Sequence, residues 1–507
     1  MSSLARGIAK NAAVVGGATL LSRILGFVRD LIIAFALGAG PVADAFFVAF
    51  RLPNLMRRLF GEGSLTMAFV PVYSRVREEH GAEASHVMAR SMHIWLVLVL
   101  GVLTLVAMYF ARPLTLAIAP GFAGEPRQLQ LTVELVRICF PYTIFICGVA
   151  LCMGILNSEG HFLMPALAPC VLNIVLISAA LGAVWLKLSV PHMLAYGVLV
   201  AGVLQWAVQQ PALHSVGLRW FGHWSLKNDG VRRTGRLMLP TVFGAAVYQI
   251  NILLGTLLAS LLPAGSISYL YYADRLVQFP LGVFGIAVST AALPSLSRLA
   301  ARKDMDGFKE ALNASMRLTL FISIPAAAGL IGLAGPVVEL LFQRGAFSSA
   351  AVDATSIALV GYAIGLPAFA MVRPLVSAFY ALEDTKTPVI AATLSVVVYV
   401  IAGAGMMQYI GHLGLALATS LSSWLNAAFL VWRLRGRLGR WASYHRIVPV
   451  FLGLSIVIGC GAWGTVPLGK WAVVLIPVWA AVYAVGALLC RIPEATMLLD
   501  AVRRRVR

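Results

Sequence analysis

SRILGFVRDLIIAFALGAGPVADAFFVAFRLPNLMRRLFGE, running from Ser22 to Glu62, sets five arginines and three acids in an otherwise apolar run. The arginines are Arg23, Arg29, Arg51, Arg57 and Arg58; the acids are Asp30, Asp44 and Glu62. An arginine at bilayer depth costs about 2.5–3.5 kcal/mol on insertion scales, so a cluster of them implies a watery or protein-lined interior. The stretch is therefore read as part of a functional site inside a membrane protein.

Composition extends that reading to the whole chain. Its 507 residues are 60% apolar and 12% charged, with a mean hydropathy of +0.87. Soluble domains carry about a quarter charged residues. Apolar runs long enough to cross a bilayer recur from end to end, separated by loops too short to fold alone. The expected fold class is all-α: a polytopic integral membrane protein with 14 transmembrane helices. The spans run near 13–38, 42–70, 88–111, 129–156, 162–186, 192–213, 237–262, 267–297, 310–335, 352–381, 388–409, 412–432, 447–466 and 471–490. Met1 to Asn11 is basic but lacks a cleavage pattern, so no removable signal is expected. All six cysteines sit in or beside apolar segments and read as small buried hydrophobes.

A net charge of +19 would suggest nucleic acid in a soluble protein. Its placement says otherwise. With an even number of spans, 25 basic residues fall on the side of the termini and five on the other, while nine arginines lie within spans. The positive-inside rule puts both termini in the cytoplasm.

An internal repeat organises the spans. Arg51 superposes on Arg275 at an offset of 224, together with Ala49 on Ala273, Leu52 on Leu276 and Phe60-Gly61 on Phe284-Gly285. Pro71 meets Pro294 one residue earlier, Glu159 falls on Glu383, and Pro165 on Pro388 at 223. Six crossings restore orientation, so two parallel six-helix lobes are expected, 1–220 and 221–440, facing a central cavity. Residues 441–507 add two helices without a repeat partner.

Within the first lobe, Ser22-Arg23 and Gly26 are expected to interrupt the first span, and Pro53, Gly61 and Gly63 the second. Broken helices at a repeat interface point to a transporter site. Arg57 reads as a cavity residue or as an anchor near a span end. Arg58, about 100° away around the helix, points elsewhere. Asp30, Asp44 and Glu62 are charge partners of the arginines, or proton or ion sites. The segment Ser268 to Arg275 supplies a further cation in the second lobe, and Arg317 and Arg373 are additional candidates to line it. Nothing points to catalysis: the nine histidines are scattered, and there is neither a paired-acid motif for magnesium pyrophosphate nor a nucleotide loop.

The runs Leu21–Asp30 (LSRILGFVRD), Asp44–Leu55 (DAFFVAFRLPNL) and Arg57–Gly63 (RRLFGEG) resemble the MurJ/MviN family of lipid II flippases. These belong to the multidrug/oligosaccharidyl-lipid/polysaccharide exporter superfamily. The resemblance implies a transporter, not an enzyme. It would move undecaprenyl-pyrophosphate-linked disaccharide-pentapeptide from the cytoplasmic to the periplasmic leaflet by alternating access, for peptidoglycan synthesis, cell wall biogenesis and cell shape. By the same resemblance the substrate-binding residues are Arg23, Arg29, Asp30, Asp44, Asn54, Arg57, Glu62, Ser268 and Arg275. The last two spans would form a groove for the lipid tail. Gln278 stands where relatives can carry an acid. No cofactor and no resident metal are expected; a sodium site reported for parts of the family has no residue-by-residue match here, and coupling to sodium, protons or membrane potential stays open. Its partners would be lipid II, membrane lipids and the peptidoglycan-synthesis machinery, with no nucleic acid, for a monomer in the bacterial inner membrane. The alternatives are a drug or polysaccharide-lipid exporter of the same superfamily, and a membrane enzyme acting on polyprenyl phosphates.

Overall fold

A backbone crossing lipid has no water to satisfy its N–H and C=O groups, so apolar runs of this length close their hydrogen bonds internally as helices. A computed structural model describes residues 3–282, 286–439, 441–442 and 447–496, and among these the regular structure is helical throughout. Packing divides the chain into two units, Met1–Gly265 and Ser266–Arg507.

The first unit holds α1 (Ser3–Leu37), α2 (Pro41–Met56), α3 (Leu65–Tyr109), α4 (Ala111–Ile118), α5 (Pro126–Cys139), α6 (Tyr142–Ser158), α7 (Leu163–Trp185), α8 (Val190–Ser215) and α9 (Asp229–Ser260). Here α1 packs on α7, α7 on α8, α2 on α5, and α3 on α6 and α9. The second unit holds α10 (Ser266–Pro280), α11 (Ile286–Ala301), α12 (Met305–Gly332), α13 (Ala334–Phe342), α14 (Ser349–Ala363), α15 (Leu366–Ala381), α16 (Lys386–Leu438), α17 (Val448–Gly464) and α18 (Ile476–Leu489).

Each expected span falls on a helical segment. Among the described residues seven helices are long and apolar enough to cross a membrane, and α14 with α15, bent by 41°, makes an eighth. Of the other spans, those on α2, α10, α11 and α17 are short, and that on α1 carries Arg23, Arg29 and Asp30. Two boundaries differ from expectation. The loop expected between the second and third spans is helical, with α3 turning at Gly81 (φ 84°); α16 turns likewise at Gly411 (φ 58°). Glycine supplies the positive φ that other residues resist, so a sharp turn needs no separate loop.

The expected interruption of the first span is absent, since α1 runs unbroken through Ser22, Arg23 and Gly26. Gly26 faces the Asn173 side chain at ordinary contact distance: a Cβ there would stand 3.6 Å from its Nδ2. The second span is distorted, though not at Pro53, which lies inside α2; a π-helical turn spans Arg57–Ser64 and joins α2 to α3. Such turns widen the helix by one residue and frequently mark functional positions. Four cysteines are buried, but Cys460 and Cys490 are exposed, which corrects the uniform burial expected.

The repeat is visible in the element order, at an offset of 223. Ala111 at the start of α4 is matched by Ala334 at the start of α13, Pro126 by Ser349, and Leu163 by Lys386. The register between Glu159 and Glu383 therefore slips by one. Both segments end a helix in the same six-residue turn: Gly160 donates to the Asn157 carbonyl and His161 to Leu156, while Glu383 donates to Tyr380 and Asp384 to Phe379. The left-handed position is Gly160 (φ 79°) in one and Glu383 (φ 59°) in the other. The match of Phe60-Gly61 with Phe284-Gly285 falls outside the described residues.

The added helices are fastened to α12 by aromatic packing. The Phe321 ring lies 5.5 Å from Phe451 and 5.0 Å from Tyr483, whose hydroxyl donates to the Phe321 carbonyl at 2.9 Å. Each such ring pair contributes about 0.5–1.5 kcal/mol beyond area burial.

At the start of α16, Asp384 accepts from the Lys386 and Thr387 amides at 3.0 and 2.9 Å and from the Thr387 hydroxyl at 2.6 Å. Arg437 closes on it at 2.6 Å. Burial opposes ionisation, but the Thr387 and Lys386 donors and the Arg437 charge outweigh it and hold the carboxyl below its ordinary value.

Two outcomes are expected. Replacing the strained Glu383 by glycine removes the cost of a left-handed side chain and stabilises the protein by about 1 kcal/mol, after glycine's own entropy is subtracted. A raised thermal midpoint in detergent checks it. Asp384→Ala removes a cap and costs about 0.5–2 kcal/mol. Because the folded carboxyl is depressed, the stabilisation from its ionisation is present above about pH 3.9 and is lost as pH falls through the lower folded value, so the gap between wild type and Asp384→Ala narrows only in acid.

Candidate functional site

A charge inside an apolar helix persists when neighbouring groups replace its lost water. Arg29 on α1 shows how. Its Nε and Nη2 donate to Asp30 Oδ1 at 3.0 and 2.7 Å, and its Nη1 donates to Asn173 Oδ1 on α7 at 3.0 Å. The Asn173 amide in turn donates to the Ser22 carbonyl at 3.0 Å. Asp30 is buried and the Arg29 side chain is 14% exposed, so this ion pair is largely shielded from solvent. Adjacent residues on a helix point apart. The long guanidinium arm folds back regardless, which makes Asp30 the charge partner of Arg29.

Arg23, one and two-thirds turns before Arg29, is exposed. On α2, Arg51 reaches across to α9 and donates to the Thr256 hydroxyl and, at 3.5 Å, to the Ile252 carbonyl. At the entry to the π-helical turn, Arg57 Nε donates to Asn54 Oδ1 at 2.9 Å, which joins two of the expected residues. Arg58, half-buried, has its Nε buried without a hydrogen-bond partner. Asp44, in the first turn of α2, is buried and accepts the Gly265 amide at 2.6 Å. The Glu62 side chain lies outside the described residues.

A second polar cluster lies on α3. Arg77 pairs with Glu159 at 2.8 Å, and the fully buried Tyr73 donates its hydroxyl to the same carboxylate at 3.2 Å. The cluster fastens α3 to the end of α6.

In the second unit Ser268 is fully buried on α10. Arg275 lies 4.8 Å from the centre of the Tyr271 ring and donates to its hydroxyl at 3.3 Å. Asp274 is bonded by Gln278, so the amide standing at that position serves the neighbouring carboxylate as a donor. Arg317 pairs with Glu494 at 2.6 Å, which ties α12 to the segment after α18. Arg373 is exposed on α15. Among the described residues no cluster of three or more His, Cys, Asp or Glu is placed to hold a metal ion.

Sequence reasoning missed Asn173 and Thr256. Asn173 is the more informative omission, because an amide in the apolar run Leu163–Trp185 needs partners and thereby signals a polar contact. Which helix supplies them is a tertiary matter.

The arrangement presents guanidinium groups in low-dielectric surroundings, the chemistry suited to binding an anion such as phosphate through paired N–H donors. Comparisons with known proteins agree with that chemistry. The family model described as "Lipid II flippase MurJ" matches residues 33–492. A relative from Rhizobium meliloti, named a probable lipid II flippase MurJ, is 40% identical over 443 residues, covering 85% of this chain and 82% of its own. One from Burkholderia cenocepacia, named lipid II flippase MurJ, is 37% identical over 430 residues and covers 83% of both chains. A solved structure of a lipid II flippase MurJ in an inward closed conformation superposes with a TM-score of 0.79 at 26% identity, covering 94% of this chain and 99% of that one. An inward-facing multidrug MATE transporter superposes at 0.69 with 14% identity over 85% and 98% of the two chains, a likeness of fold alone.

Asn173→Ala leaves one guanidinium N–H and the Ser22 carbonyl without their partner, an expected cost of about 1–3 kcal/mol read as a lowered thermal midpoint. A double-mutant cycle with Arg29→Ala should give a coupling energy of about 0.5–3 kcal/mol; additivity of the two variants would show that the contact is not energetically shared.

Proposed function

The chain belongs to the lipid II flippase MurJ family, and on that premise we propose that Arg29, with Arg23 and Arg57, holds the pyrophosphate of the lipid it carries. It is a transporter and not an enzyme: it flips lipid II from the cytoplasmic to the periplasmic leaflet by alternating access, supplying peptidoglycan synthesis. It is a multi-pass protein of a bacterial inner membrane. Both termini lie in the cytoplasm in our reading, from the excess of basic residues on that side.

The observation that carries the binding role is the Arg29–Asp30–Asn173 arrangement. A shielded guanidinium held by one carboxylate oxygen and one amide is oriented before substrate arrives, so little conformational entropy is lost on binding. A pyrophosphate carries concentrated negative charge, and arginine matches it with a planar fork that keeps its proton when water is excluded. Asp30, Asp44 and Glu62 position these arginines or take part in coupling to an ion gradient. Asn54 orients Arg57 through the bond between them. Ser268 and Arg275 are proposed as the second unit's contribution to substrate recognition. The functional division follows the repeat, with lobes at 1–220 and 221–440 and a tail-binding pair at 441–507. Flipping requires states of differing affinity, because a ligand shifts an equilibrium only through such a difference. The lipid tail stays in the bilayer while the head group crosses. The working unit is a monomer, in contact with the peptidoglycan-synthesis machinery.

The test is complementation in cells depleted of their own lipid II flippase, with lipid II exposure at the periplasmic face as readout. Arg29→Ala, Arg57→Ala and Arg275→Ala are each expected to lose a charge-assisted bond worth about 1.5–3 kcal/mol, hence more than about tenfold in exposure rate per inserted protein. Wild-type exposure in all three would overturn the assignment.

A further inference from the structure

Between α8 and α9 runs the loop 216–228, whose backbone is held by side chains of α3. The buried Arg90 guanidinium donates to the Arg219 carbonyl at 2.7 Å and to the His223 carbonyl at 3.3 Å, with Glu83 as its carboxylate partner at 2.8 Å. Ser91 accepts the Ser225 amide at 3.0 Å, and the Trp95 indole donates to the Leu226 carbonyl at 3.1 Å. The loop passes so close to the guanidinium that a Cβ on Gly222 would stand 2.8 Å from its Cζ. Inside the loop, the Trp220 indole donates to Gln210 at 2.6 Å and its ring packs 4.4 Å from His93.

A loop pinned this firmly nevertheless turns apolar side chains outward. Phe221 is 96% exposed, Leu226 51% and Trp224 44%. Arg219 and Lys227 are exposed beside them, and Arg232, Arg233 and Arg236 follow on the first turns of α9. Over 216–236 the sequence holds five cations against one acid, Asp229. Outward aromatics flanked by cations match a membrane interface, where rings sit at headgroup depth and cations meet phosphate.

We propose that the loop 216–228 is a preformed interfacial anchor that seats the first unit on anionic phospholipid headgroups. Arg90 and its partners hold the backbone so that Phe221 and Trp224 enter the interface without an ordering cost. Arg219 and Lys227 hold the phosphates. The charge complementarity commits the surface to lipid rather than to a protein partner.

The test uses the full chain with the two exposed cysteines replaced, Cys460→Ser and Cys490→Ser, and a spin label attached at Phe221→Cys. The protein is placed in nanodiscs of phosphatidylcholine, with or without phosphatidylglycerol. Collision rates with oxygen and with a water-soluble nickel chelate report depth. The proposal expects oxygen-dominated collisions that strengthen with phosphatidylglycerol. Arg219→Gln and Lys227→Gln should each reduce occupancy of the inserted state about fivefold in the anionic discs. Nickel-dominated collisions in both lipids would overturn the anchor. Equal depth in both would overturn the headgroup contacts, and a label shielded from both reagents would indicate a protein contact and overturn it too.

Discussion

Charge in an apolar surrounding is the constraint on which this structure turns. Arg29 sits in a helix that would otherwise be an ordinary membrane span, and it is tolerated because Asp30 neutralises it and Asn173 satisfies another of its N–H groups. That contact ties α1 to α7 and places Ser22 under the Asn173 amide. Arg51 repeats the solution with a hydroxyl and a carbonyl of α9 in place of a carboxylate. The same polar side chains thus join the helices and, in the proposed role, prepare an anion-binding surface. A site of this kind does not separate structural from functional residues.

Backbone satisfaction is the second constraint, and it explains the irregular places. Where the chain must turn between helices it uses compact motifs that bond the last carbonyls, as at Gly160 and Glu383. Where two spans follow closely, a glycine of positive φ bends a continuous helix, as at Gly81 and Gly411. The π-helical turn at Arg57–Ser64 redirects α2 into α3 and brings Arg57 beside Asn54. The first of these devices recurs at a spacing of 223 residues, from Gly160 to Glu383, so the repeat is preserved in backbone geometry there even though the side chains have diverged. Glu383 keeps the left-handed turn that Gly160 makes without strain.

Much of the candidate site was legible before any coordinate. Arginine in apolar sequence is conspicuous because its burial is costly, and that cost pointed to Arg23, Arg29 and Arg57 without reference to a fold. The partners were less visible. Asn173 lies 144 residues from Arg29, and nothing local says which helix meets which. Arg317 is a second case: its place in an apolar run resembles that of Arg29, and its partner, Glu494, lies far along the chain. The expected breaks at Ser22 and Pro53 failed for a related reason. Glycine and proline signal weakness in an isolated helix, whereas neighbouring helices decide whether the backbone yields there.

By itself, the sequence determined the membrane class, the helical spans, a repeat in their order and the charged stretch that stands out from them, because hydropathy and charge act locally and leave their mark on every segment. Only the tertiary structure decided which oxygen meets which guanidinium, where the register of the repeat slips, and that the break expected in the second span takes the form of a π-helical turn over Arg57–Ser64, around Gly61 and Gly63 and not at Pro53. Those outcomes depend on distances of about 3 Å between residues remote in sequence, and composition and periodicity carry no information at that scale.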